Sequence, residues 1–520
     1  MTYLCVPIFV ATPQQVKRDV ARAIEAGAEM IELRLDTWNP TGRPHFSPPE
    51  LIEDLRTFGI PLIATCRSNA EGGQWNYGPA AQLELLQACA KAGAQYIDLE
   101  LANCPHEGLP AAWGRMKLIL SSHDFQGRPD RLNNLFLDMD HVGCDVQKVA
   151  WTARSVRDNI EAFEILQRAF HPTIALCMGE AGIISRILAK KFKAFLTFAA
   201  LDEDSSTAPG QITISAMKQL YRWDKIKPKT KVYGVVAHPV GHSMSPAVHN
   251  AAFEAIGYDG VYVPFLVQPA YESFKAFMES FVPFEAMHLS GLSVTLPHKE
   301  NALRYLQEKS AKIEELAVRI GAVNTILIDR ASGTPVLSGM NTDYVAILQS
   351  LKTALRCDSD KLAGIRVGVI GAGGTGRTAV AVLSQCKADV VVYNRTPSKA
   401  ESLAQEFGVH SAPWDSLGGG DCQVYINTTS VGMHPNVNDT PFGTPRPPVG
   451  PNQVVFDTIY NPMETKLLKQ AKHAGATTVG GIEMFLKQAI EQFQAWTGET
   501  APADVMRKTI EFRLRRPKPD

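Results

Sequence analysis

Trp223-Asp-Lys-Ile-Lys-Pro-Lys-Thr-Lys-Val232 is the stretch on which the fold turns. Lysines stand at 225, 227, 229 and 231 around Pro228, with few core-forming residues among them. So short and polar a run reads as a linker, 225–231, between two complete proteins, or as a loop inside one large domain. The choice depends on whether each side is complete by itself.

The bulk numbers leave room for both. A chain of 520 residues holds about three domains. The net charge of -1 gives no overall field toward nucleic acid or an anionic membrane. The nine cysteines include no C-x-x-C pair, which fits a reducing cytoplasm rather than a disulfide scaffold or a zinc site. No apolar run reaches the roughly 18 residues of a membrane span. Strand-like sequence starts by Leu4, so a signal or transit peptide is not expected.

Upstream of residue 223, short β-rich runs alternate with helix-like stretches such as Gln14–Ala26, Gln82–Lys91 and Ser155–Phe170. The runs are Leu4–Phe9, Met30–Asp36, Leu62–Arg67, Tyr96–Leu101, Leu118–His123, Val146–Trp151, Thr173–Met178 and Ala194–Phe198. Eight such alternations predict a closed (β/α)8 barrel, with an open doubly wound sheet as the alternative.

In a barrel the chemistry gathers at the C-terminal strand ends. Glu32, Arg34 and Asp36 alternate with Ile31, Leu33 and Leu35, so the three charges share one strand face. Helices cover the outside of a barrel, so that face points inward, where charges need partners. Arg67, Glu100 and His123 close the next three runs. Lys148 lies between valines in its strand; desolvation there would free its amine as a nucleophile toward a ketone. A lysine that snorkels to the barrel end fits the same spacing. After the seventh run, Gly179, Gly182, Ser185 and Arg186 could hold a carboxylate or phosphate. The polar loop Asp202–Gln211 is long enough to cover a substrate.

These residues resemble the type I 3-dehydroquinate dehydratases. The resemblance spans residues 4–220 and rests on a series of motifs in order: Glu32-Leu-Arg34-Leu-Asp36, Cys66-Arg67-Ser68, Glu71-Gly-Gly73, Asp98-Leu-Glu100 and Ser122-His123-Asp124-Phe125. Lys148, Gly182-Ile-Ile-Ser-Arg186 and Pro209-Gly-Gln211 complete it. It implies that Lys148 forms an imine with the substrate ketone. His123 would remove the adjacent proton and then protonate the departing hydroxyl, with Glu100 orienting it. Arg34, Arg67 and Arg186, with Glu32 and Gln211, would hold the carboxylate and hydroxyls. Thr207 stands where the family's lid carries serine and keeps the hydroxyl.

Downstream, Val232–Ala237 opens a new strand, followed by His238, His242 and His249 within twelve residues. Their spacing matches no metal-ligand pattern, so no metal is expected. A strand-to-helix turn is the better reading, with Ser243 or Ser245 capping a helix from Pro246. Later, Gly364-Ile-Arg-Val-Gly-Val-Ile370 leads into Gly371-Ala-Gly373-Gly374-Thr375-Gly376-Arg-Thr378 and a helix. This dinucleotide fingerprint is followed by a second strand, Asp389–Tyr393, as the fold requires. That strand ends in Asn394-Arg395-Thr396, with Lys399 nearby. An arginine there, with no acidic residue for a ribose 2′-hydroxyl, suits a 2′-phosphate and so NADP. Lys299 and Asp343 are a candidate acid/base pair, if the fold brings them together.

Residues 232–500 resemble the shikimate dehydrogenases. The motifs are His242-Ser-Met-Ser-Pro246, Val294-Thr-Leu-Pro-His-Lys299, Gly321-Ala-Val-Asn-Thr325, Asn341-Thr-Asp343, Gly371–Thr378 and Asn394-Arg-Thr396. Asn427-Thr-Thr-Ser-Val-Gly-Met433, Tyr460-Asn-Pro462 and Gly481-Ile-Glu-Met-Phe-Leu-Lys-Gln488 follow. The resemblance implies that Ser243, Ser245, Thr295, Asn324, Asp343 and Gln488 bind the hydroxy acid, with Lys299 as acid/base. Thr428 and Met433 would line the nicotinamide side, with Tyr460 and Gly481 at the cofactor site. Ser243 and Thr295 favour shikimate over quinate, and Ser293 replaces the family's asparagine before Val294.

The expected architecture is therefore α/β throughout. A barrel (1–224) and the linker precede an α/β substrate domain (232–340) and a Rossmann NADP-binding domain (341–480). A C-terminal helical segment (481–512), with a stripe at Ile482, Phe485, Leu486, Ala489, Ile490 and Phe493, returns Gln488 to the substrate domain. The tail from Arg513 is expected to fray. The expected function is a two-step enzyme: 3-dehydroquinate to 3-dehydroshikimate, then reduction to shikimate with NADPH. A quinate-preferring dehydrogenase fused to a dehydratase, or a non-catalytic regulator of quinate metabolism, is the alternative.

Overall fold

The structure is a computed structural model. It describes residues 1–39, 46–105, 116–205, 207–241, 243–417, 419, 421–443 and 449–515. His242 of the turn motif and residues 516–520 of the tail lie outside these. Two compact units divide the chain: Met1–Gly241 with Asp259–Leu289, and His242–Tyr258 with Ser290–Asp520. No helix among the described residues is long and apolar enough to cross a membrane.

The first unit holds the eight expected strands. They are β1 (Tyr3–Phe9), β2 (Met30–Arg34), β3 (Leu62–Thr65), β4 (Tyr96–Glu100), β5 (Lys117–Asp124), β6 (Val146–Thr152), β7 (Thr173–Met178) and β8 (Leu196–Phe198). They pair in the order β7-β6-β5-β4-β3-β2-β1-β8, all parallel. The Phe195 N–H donates to Thr173 O at 2.8 Å, so the ladder nearly closes into a barrel. Local signals act as expected. Thr12 accepts from Gln15 N–H at 3.2 Å and Pro13 opens the helix Pro13–Glu25, whose Val16, Val20 and Ala23 are buried.

Period-two geometry explains where the polar groups go. Cys5, Met30, Ile63, Tyr96, Ile119, Val146, Ile174 and Leu196, one from each strand, pack as an apolar plug. Two residues further along the same face stand Glu32, Thr65, Asp98, Ser121 and Lys148, all buried. Arg34, Arg67, Glu100 and His123 come two residues after that. β2, β3, β4 and β5 are thus apolar at their start and polar at their C-terminal mouth, while β7 and β8 stay apolar through Leu176, Met178 and Phe198.

Past the barrel, β9 (Lys231–Ala237) and β10 (Gly260–Leu266) run parallel in the same unit. The segment 225–231 does not behave as a solvated tether. Its lysines 225, 227, 229 and 231 are exposed, but Ile226 and Thr230 are buried between them. Lys191, itself 3 % exposed, donates to Pro228 O and Thr230 O at 2.8 Å each and lies 3.0 Å from His288 Nδ1. Thr230 Oγ1 donates to Asp259 Oδ1 at 2.6 Å. Counting lysines missed this because they alternate with the residues that pack.

In the second unit, β11 (Leu289–Val294), β12 (Lys312–Ile313), β13 (Thr325–Asp329) and β14 (Val336–Met340) lie in the order β11-β13-β14-β12. The other sheet is all parallel. It comprises β15 (Arg366–Ile370), β16 (Asp389–Tyr393), β17 (His410–Ala412), β18 (Val424–Asn427), β19 (Val454–Asp457) and β20 (Thr477–Val479), in the order β17-β16-β15-β18-β19-β20. Val367, Val369, Val390, Val392, Val424, Ile426, Val454 and Phe456 bury one face, and Ile370, Tyr425 and Val455 the other. Apolar cover on both faces is what a doubly wound sheet needs. The helix Ala503–Arg515 carries Met506 and Ile510 into the interior, so residues 513–515 remain helical where fraying was expected.

Candidate active sites

The barrel mouth forms a cavity lined by Glu32, Arg34, Arg67, Glu71, Gly72, His123, Phe125, Lys148, Arg186, Thr207 and Gln211, among others. Lys148 is 4 % exposed. Its Nζ donates to Asp98 Oδ2 at 2.7 Å, lies 3.7 Å from Glu32 Oε1, and sits 4.7 Å from the Phe198 ring centre. The sequence offered a lysine desolvated between valines or one that snorkels to the barrel end; the fold buries it beside two carboxylates. Asp98 Oδ1 also accepts from Arg67 Nη2 at 2.7 Å and Ser121 Oγ at 2.6 Å. Burial alone would raise the Asp98 pKa, but Arg67 and Lys148 outweigh it and hold the carboxylate well below its ordinary range.

His123 is positioned by Glu71 and not by Glu100. Glu71 Oε2 lies 2.8 Å from His123 Nδ1 and accepts the His123 backbone N–H at 3.1 Å. Glu100 is spent on Arg67 (3.2 Å), Ser68 N–H (2.7 Å) and Asn103 (2.6 Å), and anchors the β3 turn. The expected Glu100–His123 contact is therefore corrected. Glu71 arrives because its turn folds back. Gly72 has φ +77, and a Cβ there would strike the Phe125 ring at 2.3 Å; a Cβ on Gly73 would meet Arg67 O at 2.0 Å. The motif Glu71-Gly-Gly73 was visible in the sequence; the partner of its glutamate was not.

Burial, with Arg67 and Lys148 nearby, pushes the His123 imidazole well below its ordinary 6.5. Burial pushes the Glu71 carboxyl up to about 8, against the pull of Arg67. His123 is thus uncharged at neutral pH, and Nε2 remains for a ligand. A base that works in its neutral form keeps working until it protonates, so a lowered pKa extends activity toward acid. The acid limb of dehydration kcat/KM is expected below pH 6.5, read from a pH-rate profile. Glu71→Gln keeps a hydrogen-bonding group but removes the ionisable carboxyl. Its dehydration kcat is expected to fall roughly 100-fold, with KM within about threefold.

The three arginines differ. Arg34 is forked onto Asp36 (2.8 and 3.0 Å), and Arg67 is held by Asp98, Glu100 and Glu71. Arg186 is 1 % exposed, its Nε has no hydrogen-bond partner, and burial pushes its pKa down to about 10. Among the described residues no carboxylate pairs with it, so this buried cation lacks an anionic counter-ion there. Ser185, expected to help bind an anion, instead donates to Gly182 O at 2.7 Å and accepts Cys177 N–H at 3.0 Å. In the covering loop, Gln211 Nε2 donates to Thr207 Oγ1 at 3.0 Å. Pro209 O accepts from Gly179 N–H at 3.1 Å.

In the second unit Lys299 and Asp343, 44 positions apart, meet with Nζ 2.6 Å from Oδ2. Asn341 caps the helix Thr342–Leu355 by accepting the Asp343 N–H at 3.0 Å, which fixes the carboxylate. Asn324 is 2 % exposed; its Oδ1 accepts from Thr342 N–H at 2.8 Å and its Nδ2 donates to Thr342 Oγ1 at 3.0 Å. Ser243 Oγ accepts the Ser245 N–H at 3.2 Å at the start of the helix Ser245–Ala255. Thr295 is half-buried.

The helix Gly481–Thr497 does return to β11 and β13, but through Gln492. Ser293 donates to Gln492 Oε1 at 2.7 Å, and Gln492 Nε2 donates to Thr325 Oγ1 at 3.0 Å. Gln488 Nε2 is bonded to Phe485 O in its own helix at 2.9 Å. Ser293 thus gives its side chain to the returning helix.

The glycine-rich turn has the form a pyrophosphate needs. Gly371 has φ +110, and a Cβ on Gly376 would meet Gly371 O at 2.1 Å. A Cβ on Gly373 or Gly374 would meet nothing within 4 Å, so the N-terminus of the helix Gly374–Gln385, with Thr375, has open space before it. Asn394 Oδ1 accepts the Ala372 N–H at 3.2 Å and ties β16 to the turn. Arg395, Thr396 and Lys399 are exposed beyond it, and among the described residues no carboxylate pairs with either cation. Thr428 Oγ1 donates to Ile370 O at 2.8 Å, Met433 and Tyr460 are exposed, and a Cβ on Gly481 would meet Ile459 O at 2.4 Å. These residues fit a dinucleotide with a charged adenosine ribose.

Comparison with known proteins places both halves of the chain in families. Residues 4–228 match the family described as type I 3-dehydroquinase. Residues 235–326 match the shikimate dehydrogenase substrate binding domain, 353–419 shikimate/quinate 5-dehydrogenase, and 481–511 the shikimate 5′-dehydrogenase C-terminal domain. The chain is 37% identical over 525 residues to the chloroplastic bifunctional 3-dehydroquinate dehydratase/shikimate dehydrogenase of Arabidopsis thaliana, covering 96% of this chain and 83% of that protein. It is 40% identical over 289 residues to the shikimate dehydrogenase (NADP(+)) of Methanosarcina acetivorans, covering 54% of this chain and 97% of that one. Among solved structures, a shikimate dehydrogenase in complex with NADP+ is 35% identical, with a TM-score of 0.49 over 55% of this chain and 97% of its own. With two catalytic assemblies in one chain and this likeness along nearly its whole length, the protein belongs to the bifunctional 3-dehydroquinate dehydratase/shikimate dehydrogenase family.

Proposed function

We propose that the barrel dehydrates 3-dehydroquinate through an imine on Lys148 and that the C-terminal half reduces the product to shikimate with NADPH. One observation carries the reading most. Buried Lys148, His123 and buried Arg186, the last with no carboxylate partner among the described residues, line the same cavity. In this reading Arg186 takes the carboxylate, and the lysine amine adds to the ketone with loss of water. Neutral His123 then removes the adjacent proton; the electron pair flows into the imine. The imidazolium, steadied by Glu71, protonates the leaving hydroxyl, and hydrolysis frees 3-dehydroshikimate and Lys148.

In the second site bound NADPH would be the hydride source; Lys299 gives a proton to the carbonyl oxygen, and Asp343 holds the ammonium. Ser243, Ser245, Thr295, Asn324 and Gln488 bind the hydroxy acid in this reading, with Ser243 and Thr295 favouring shikimate over quinate. Gly371, Gly373, Gly374, Thr375 and Gly376 would hold the pyrophosphate, and Asn394, Arg395, Thr396 and Lys399 the 2′-phosphate. Arg395→Ala is expected to raise the NADP+ KM about tenfold or more and leave that for NAD+ nearly unchanged. Equal effects on the two would exclude a 2′-phosphate contact.

The division at 1–224, 232–340, 341–480 and 481–512 is part of the reading, supported by where the family matches begin and end. So is a cytoplasmic location, supported by nine free cysteines. The test is one assay of the whole chain with 3-dehydroquinate and NADPH. Enone absorbance should rise and NADPH then fall. Borohydride should trap substrate mass on the Lys148 peptide. Dehydration without a trapped adduct would sink the imine. No dehydration at all would favour the non-catalytic regulator.

A further inference from the structure

The glycine-rich turn is followed at once by Arg377, whose side chain has no part in the proposed chemistry. It leaves the first turn of the helix Gly374–Gln385 and reaches the end of the helix Glu315–Ile320. Its Nε donates to Ile320 O, and its Nη2 lies 3.4 Å from Arg319 O. These are among the last carbonyls of that helix, which have no partner inside it. The rest of the guanidinium is gripped from the helix Pro397–Phe407: the Glu406 carboxylate takes Nη1 and Nη2, and the Phe407 ring centre lies 5.2 Å away. That same helix carries Lys399 in its first turn.

The helix Glu315–Ile320 is held at its other end too. Glu314 accepts the Asn341 N–H at 3.3 Å and the Tyr344 hydroxyl. Asn341 and Tyr344 flank Asp343, and Asn341 caps its helix. Past the other end, Gly321 turns with φ +79, its α-carbon side facing the Arg377 guanidinium, and leads to Asn324. One short helix therefore spans from the cofactor turn to both the Asn324 and Asp343 supports.

We propose that Arg377 is a positioning residue that couples the glycine-rich cofactor turn to the hydroxy-acid edge at Asn324 and Asp343 through the helix 315–320. The proposal rests on the shikimate dehydrogenase reading. Its physical basis is alignment: hydride transfer needs the two edges in register, and small misplacements cost large factors in rate. A forked guanidinium can reach two carbonyls and a carboxylate together, whereas an ammonium acts as a point donor. The Arg377–Glu406 pair is partly exposed, so its loss costs little stability and the coupling can be read separately.

The test uses the full chain and the variants Arg377→Met, Arg377→Lys and Glu406→Gln. NADP+ affinity without shikimate, kcat, shikimate KM and melting temperature are measured for each. For Arg377→Met, NADP+ affinity should stay within about twofold, while shikimate KM rises and kcat falls about tenfold each. Arg377→Lys should recover part of the loss, and Glu406→Gln, which spares the carbonyl contacts, should lose less than Arg377→Met. Shikimate KM and kcat within about twofold of wild type in Arg377→Met would overturn the proposal. So would a joint loss of NADP+ affinity and melting temperature, which marks a purely structural residue. A wild type with no NADP-linked shikimate oxidation would overturn the dehydrogenase reading and this proposal with it.

Discussion

Lys148→Ala is expected to lower dehydration by roughly 10⁴-fold or more, the scale of deleting a covalent nucleophile. The reason is specific to this cavity. His123 and Arg186 would still bind and deprotonate, but without an imine the electron pair has no sink. Alanine also takes from buried Asp98 the cation that lies 2.7 Å from its Oδ2, which costs stability. Lys148→Arg separates the two effects. It keeps a cation beside Asp98 and cannot form the imine, so it should be as inactive as alanine with a melting temperature nearer wild type. Both variants should resist borohydride labelling and still oxidise shikimate with NADP+. Dehydration by Lys148→Ala at the normal rate would end the imine mechanism.

Lys299→Ala should divide the reaction at its midpoint. The Nζ–Oδ2 distance of 2.6 Å leaves Asp343 to hold the ammonium that donates the proton. Without that acid, reduction is expected to slow by roughly 10²- to 10⁴-fold, mainly in kcat. Given 3-dehydroquinate and NADPH, the variant should accumulate 3-dehydroshikimate at the wild-type dehydration rate. Unchanged NADPH consumption would remove Lys299 from the chemistry. A raised shikimate KM with normal kcat would make it a binding residue only.

What was readable in the sequence follows from what is periodic. Alternation along β2, β4, β5 and β6 sends Glu32, Arg34, Glu100, His123 and Lys148 to the mouth, so the strands and the cavity residues could be read directly. The errors fall where geometry is not periodic. The Glu100–His123 pairing was implied by the family resemblance and not by any spacing in the chain. The carboxylate that reaches His123 comes from a glycine-bent turn after β3, and no strand pattern predicts its direction. The partner of Lys148 could not be read, because Asp98 lies 50 positions away. Gln492 escaped notice although a signal existed. It falls where the apolar stripe of its helix continues, and a polar residue on a buried face needs partners.

The clamp at Lys191 changes what a boundary in this chain means. Burial already pushes that ammonium down to about 8, and its partners lie within the seam's own segment, at Pro228 and Thr230, and beyond it at His288. A gene split after residue 224 would remove Pro228 O, Thr230 O and His288 at one stroke and leave a cation in the interior. The two catalysts are thus no longer interchangeable cassettes at that point. Recombination that swaps one of them has to carry the segment through Thr230, and an answering surface, along with it.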